Sequence, residues 1–195
     1  MDYLASVQAL DYLANNCSNN GAINKLKALK LLFFAERYHV RKYGKFFTND
    51  TFYAMKNGPV ASGAYNIIEM KKIDKDAKEY VIANIEKIDD NTFKSLKKFG
   101  SRDDYEDLSD SAVESLDFAI NTFSSIDEWR LVNKTHLYPE WKRFEEFFQN
   151  ETNKNKRRDI NTDDFFAPCK VKNDPFSIIS QKTVEANKDW FKGDF

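Results

Sequence analysis

The sequence predicts an α+β fold, predominantly α-helical, in which a helical core carries a small antiparallel β-sheet. Three observations lead there. Long stretches at 2–16, 24–43 and 110–123 repeat apolar residues at three- and four-residue steps, the spacing of a helix face. Shorter runs at 52–56, 81–88 and 92–99 are rich in β-branched and aromatic residues, and Asp89-Asp90-Asn91 forms a polar turn between the last two. Hydrophobic residues make up 42% of the chain and include 17 Phe and 9 Tyr, which fits a folded domain with a sizeable core and not a disordered chain.

In chain order, Leu4, Val7, Leu10 and Leu13-Ala14 mark the first helix, ended by the polar stretch from Asn15 to Gly21. The second helix is expected to be the central one. Leu26, Leu29, Leu32-Phe33, Val40 and Tyr43 form its apolar stripe, Lys25, Lys30, Arg37 and Arg41 are expected in more solvated positions, and Gly44 suits a left-handed cap. A strand at Phe52–Lys56, aromatic on both faces, should be buried and end at Asn57-Gly58. Pro59 then suits the first turn of a helix continuing through Val60, Ala64, Ile67-Ile68 and Lys71. Gly63 inside that helix, at about 1 kcal/mol relative to alanine, points to close backbone packing.

The 81–88 and 92–99 hairpin is expected to join the Phe52 strand, because an isolated hairpin is marginal in water. Asp103 to Asp107 reads as a surface loop. Ser109 or Ser111 starts the helix over 110–123, Ser111 with Glu114 has capping-box spacing, and Ser125 with Glu128 repeats it before a helix running to His136. Pro139 restarts helix through Trp141, Phe144 and Phe147-Phe148. Composition changes at Gln149, which divides the chain into a domain at 1–148 and an extension at 149–195 packed on the domain or on a partner. Residues 149–164 read as a linker or surface loop, and Ser180 caps a last helix to Lys192.

A formal net charge of −1 provides no global field toward nucleic acid or an anionic membrane. The start Met1-Asp2-Tyr3 lacks a basic, apolar leader, and no run of about 18 apolar residues occurs, so the expectation is a cytoplasmic protein. Cys17 and Cys169 lack Cys-x-x-Cys spacing and read as reduced thiols, with a disulfide left open by the spacing. His39 lies three residues after Glu36 without a second ligand nearby and reads as structural; no metal and no cofactor is expected. His136, after Thr135 at a helix end, reads as a corner residue whose protonated ring complements the helix dipole.

Trp129 and Trp141 read as packed inside, and Tyr38, Tyr43, Phe46-Phe47 and Tyr53 as mostly core, with any exposed member a candidate anchor. Lys56 with the Asn57-Gly58-Pro59 turn reads both as a connection and as a surface for a partner's anion, bound at the amides of a helix start. Lys154 to Arg158 reads as a solvated run, with phosphate binding as its functional alternative.

The stretch from Leu31-Leu32-Phe33-Phe34-Ala35 through His39-Val40, Gly44 and Thr48 to Tyr53-Ala54-Met55-Lys56-Asn57-Gly58-Pro59-Val60 and Tyr65 resembles the Panacea antitoxin domain, also described as SocA-like or GepA-like. Trp129, Leu131, Thr135-His136, Pro139 and Trp141 resemble the second block of that family, and together the blocks cover about 1–148. The resemblance implies a prokaryotic or phage antitoxin that neutralises a cognate toxin, encoded next door, by direct binding and without catalysis. Some relatives act as adapters that deliver the toxin to a protease. Many carry an N-terminal DNA-binding module; this chain starts almost at the domain, which weakens the expectation of autoregulation through that route. The expected contact residues are Tyr53, Lys56, Asn57, Gly58, Pro59, Val60 and Tyr65, with Phe176, Trp190, Phe191 and the rest of the end to Phe195; His39, Trp129, Thr135, His136 and Trp141 are expected to be structural. Two readings stand beside it: a nucleic-acid-binding regulator using Lys154 to Arg158, and an enzyme built around His39 or His136.

Overall fold

The computed structural model describes residues 1–18, 20–97 and 104–193. Residues 98 and 99 of the expected second strand, Asp103 and Phe195 lie outside the described residues. Helix α1 (Tyr3–Cys17) starts where the Asp2 carboxylate accepts the Ala5 N–H, and it buries Val7, Leu10 and Leu13. After the short strand β1 (Ala22–Asn24) comes α2 (Lys25–Tyr43), capped by Asn24 at its start and ended by Gly44 at φ 73°. Only glycine adopts that backbone without strain. Helix α2 runs through the centre of the protein, and every residue from Ala28 to Arg41 is buried.

Strands β2 (Phe52–Met55) and β3 (Gly58–Ala61) then form a hairpin whose two-residue loop is Lys56-Asn57. Helices α3 (Ser62–Ile68) and α4 (Lys75–Asn84) follow, then β4 (Ile85–Lys87) and β5 (Thr92–Ser95). The second half comprises α5 (Asp110–Phe123), α6 (Glu128–Thr135), α7 (Pro139–Lys142), α8 (Glu145–Gln149), β6 (Arg158–Asp159), α9 (Thr162–Phe166) and α10 (Gln181–Lys192). Among the described residues the fold is α+β and helix-dominated, with two small antiparallel sheets ordered β1-β5-β4 and β3-β2-β6. No helix among them is long and apolar enough to cross a membrane.

Several expectations change. The sequence suggests one sheet, whereas the β4–β5 hairpin takes β1 as its third strand, with Ile23 opposite Phe93. Strand β1 buries one residue of three, too little to show a period. Residues 81–84 belong to α4, whose polar first turns give only a thin apolar stripe. Pro59 does not start a helix but sits in β3, an edge strand, where the missing N–H leaves no ladder bond unmade. The helix begins at Ser62 instead, and its Gly63 and Ala64 amides donate to the Asp50 carboxylate at 2.8 and 2.9 Å. Gly63 packs closely, since a Cβ there would meet Met1 and Asp50.

Ser109 and Asp127 are the caps of α5 and α6, so neither Ser111–Glu114 nor Ser125–Glu128 acts as a capping box. Ser111 instead meets the His39 ring, and Glu114 accepts from Lys42, Tyr38 and Tyr43. The helix that Pro139 opens is split at Arg143-Phe144 into α7 and α8. In the acidic loop Glu106 and Asp107 are exposed as expected, but Tyr105 is buried edge-on against Tyr12. The stretch read as a linker carries β6, paired to β2 with Tyr53 opposite Asp159. Sequence periodicity cannot register a two-residue strand held by its neighbour.

Residues beyond 149 enter the same core as α2. Phe165 packs its ring against Phe33, Phe46 and Phe52 at 4.9–5.8 Å between centroids, and Phe176 meets Phe118 at 5.3 Å. Both are 1% exposed. Phe165→Ala and Phe176→Ala should each destabilise the protein by about 3–5 kcal/mol in urea unfolding. An unchanged midpoint in both would show that the C-terminal segment contributes nothing to core stability.

Candidate functional site

The β2–β3 hairpin is built on three supports from below. Lys30, fully buried in α2, donates from Nζ to the Pro59 carbonyl at 2.8 Å. A Cβ on Gly58 (φ 92°) would run into the Thr135 hydroxyl and the end of Lys30, so only glycine fits between them. Trp141 donates from Nε1 to the Met55 carbonyl at 2.7 Å, and the His136 ring stacks on the Trp141 indole at 3.4 Å and 8°. The two sequence blocks therefore meet here, with Thr135, His136 and Trp141 beneath the turn.

Charge under the hairpin departs from the sequence reading. Lys30, Arg37 and Arg41 are buried, not solvated. The signal was present: from Ala28 to Ala35 Lys30 is the only polar residue, and a stretch apolar all round belongs to a helix covered on all sides. Burial without an opposite charge brings Lys30 down to about 7. Burial, then the charge of Lys30, pushes His136 down to about 4, so its ring is neutral near pH 7 and does not complement a helix dipole as a cation. His39 is also fully buried, its Nδ1 2.6 Å from the Lys45 carbonyl and its Nε2 3.0 Å from the Ser111 hydroxyl, tying α2 to α5.

Above the hairpin loop lies a groove of about 590 Å³. Its walls include Met55, Lys56 and Asn57 from the loop, Leu26 from α2, Tyr65 from α3 and Trp129 from α6. Trp129 is 58% exposed, Tyr65 37% and Met55 36%. Trp129 is therefore not packed inside: α6 turns Leu131, Val132 and Thr135 to the core, which leaves its first turn outside. Lys25, at the rim, pairs with Glu69, which also takes Lys87 and Lys71 at 2.9 and 3.2 Å. Although burial opposes it, these three ammonium groups hold the Glu69 carboxyl down to about 2. Lys56 is exposed and makes no ion pair among the described residues.

The remaining predicted residues fall in different places. Tyr53 is half-buried under the Arg157 guanidinium, 4.1 Å from its ring centroid. Gly58 and Pro59 are buried, and Val60 lies on the groove floor. Phe176 is a core residue and presents no surface to a partner. Trp190 and Phe191 are exposed on α10, away from the groove, beside Gly44 and Phe46. The amides at the start of α3 are occupied by Asp50, so an external anion finds no helix start at this turn. Cys17 and Cys169 are free thiols. Among the described residues no group of three or more His, Cys, Asp or Glu side chains converges as a metal site.

The Lys30 arrangement has a measurable signature. An amine that titrates lower in the folded than in the unfolded protein leaves the folded state with fewer bound protons between the two values, so stability rises with pH between about 7 and the usual 10.5. Lys30→Met keeps the apolar stem and removes the titration. The stability of the natural protein relative to Lys30→Met should rise from pH 7 to 9 in urea titrations; a constant difference would show that Lys30 titrates normally.

The sequence model described as Antitoxin SocA-like, Panacea domain matches residues 29–142. That span starts within α2, includes the hairpin, Tyr65 and Trp129, and ends after Trp141. No curated protein matches the chain, and no solved structure does. With the hairpin and the residues that support it all inside the matched span, the chain belongs to the antitoxin SocA-like, Panacea-domain family.

Proposed function

We propose that this protein is an antitoxin that neutralises a cognate toxin, the product of a neighbouring gene, by binding it directly and making or breaking no bond. Family membership supports the antitoxin role. The observation that carries the binding mode is the groove above the β2–β3 loop, where Trp129, Tyr65 and Met55 expose apolar surface beside the cation of Lys56. Aromatic anchors on a rigid scaffold are what a tight interface needs at its centre, and a polar rim limits its partners. Lys56 favours a toxin segment that places a carboxylate next to an apolar side chain.

The nucleic-acid reading draws less support. Arg157 and Arg158 each lie over a ring of the protein itself, Tyr53 at 4.1 Å and Phe147 at 4.0 Å. Guanidinium groups so engaged are not arrayed along a groove for phosphates.

Co-expression with the neighbouring gene provides the test. The neighbour alone should arrest growth, and this chain should restore it and co-purify with its product. Trp129→Ala combined with Tyr65→Ala should lose about 2 kcal/mol or more of binding, roughly thirtyfold in Kd, while changing folding stability little. A neighbour harmless by itself would overturn the antitoxin reading, and full binding by the double variant would move the interface elsewhere.

A further inference from the structure

A second cavity, of about 850 Å³, opens where α6, α7, α9 and the loop 168–172 meet. Five cations line it, Lys134, Lys142, Arg143, Lys170 and Lys172, against the single carboxylate of Asp164. This concentration is local, because the whole chain carries −1. Two of the five are already paired: Arg143 Nη1 lies 2.8 Å from each Asp164 oxygen, and Lys142 lies 2.6 Å from Glu145. Lys134, Lys170 and Lys172 are exposed and make no ion pair among the described residues. A net positive cleft of this kind raises the local concentration of an anionic partner and orients its approach.

The wall between the cations narrows the class of partner. Leu137, 52% exposed, faces the cleft together with Pro139, Pro168 and Val171. No aromatic side chain is among the lining residues, so nothing there offers a platform for nucleotide bases. Apolar walls under a rim of lysines suit a chain that carries both apolar side chains and carboxylates. We propose that this cleft is a second docking surface whose occupant is an extended acidic segment of a protein partner, its apolar residues on Leu137 and its carboxylates against Lys134, Lys170 and Lys172. The surface is separate from the hairpin groove and does not rest on the antitoxin reading.

Fluorescence anisotropy on the full chain tests this with a short labelled peptide of repeating Asp-Leu-Glu, its counterpart with serine in place of leucine, and an oligothymidylate of equal charge. The leucine peptide should bind, more weakly as salt rises, and the triple variant Lys134→Gln, Lys170→Gln, Lys172→Gln should weaken it about tenfold. Leu137→Ser should weaken the leucine peptide but not the serine one, and Trp129→Ala should change neither. Absence of binding, or equal binding by the triple variant, would overturn the proposal. So would equal affinity for the serine peptide, which would mean charge alone, or tighter binding of the oligothymidylate, which would assign the cleft to nucleic acid. Loss of peptide binding in Trp129→Ala would place the peptide in the hairpin groove and also overturn it.

Discussion

A helix covered on every side cannot leave its charges in an apolar interior without partners, and α2 carries five polar or charged groups there. Each finds its partner on a different part of the chain. Lys30 donates to Pro59 in β3, and Glu36 accepts the Phe47 and Thr48 amides of the segment leading to β2. Arg37 pairs with Glu140 in α7, His39 meets Ser111 in α5, and Arg41 donates to the Phe165 carbonyl in α9 at 2.9 Å. Removing one partner of a fully buried ion pair such as Arg37–Glu140 costs about 3–5 kcal/mol, because the other charge is left buried and unpaired. Apolar packing supplies the driving force.

The hairpin owes its rigidity to that arrangement. Two short strands with a two-residue loop are marginal alone, but this pair is pinned to α2 through Pro59, to the α6 end through Gly58 and Thr135, and to α7 through Met55 and Trp141. Beneath it Lys30, Thr135 and Trp141 donate to backbone carbonyls, while the buried His136 Nε2 has no hydrogen-bond partner. The loop, Tyr65 and Trp129 then stand on a fixed base. Exposed aromatics held in this way lose little conformational freedom on binding.

Much of the scaffold is legible from local signals. Gly44 ends α2 as expected, Ser180 starts the last helix, and the apolar stripes of α1 and α5 fall where their spacing puts them, except that Leu4 at the start of α1 is exposed. These features depend on neighbours in sequence, within one helical turn. Hairpin pairing was not legible in the same way, because Pro59-Val60 has the residue types of a helix start and becomes a strand only when it is laid against Phe52–Met55 and α2. The site was half legible: the Lys56-Asn57 loop and Tyr65 line the groove, while Phe176 was assigned to a surface it never reaches and Trp129 to a core it does not enter.

The amino-acid order by itself determined the helix-rich class, the caps at Gly44 and Ser180 and the central place of α2, since each follows from propensity, periodicity or composition along the chain, and it carries the two blocks of residues by which the chain resembles its family. Tertiary structure decided which charges lie inside, which strands pair and which tryptophan faces solvent. Those outcomes depend on groups distant in sequence: the Lys30 ammonium is tolerable inside only because Pro59 arrives to accept from it, and Trp129 is exposed only because Leu131, Val132 and Thr135 take the buried side of α6.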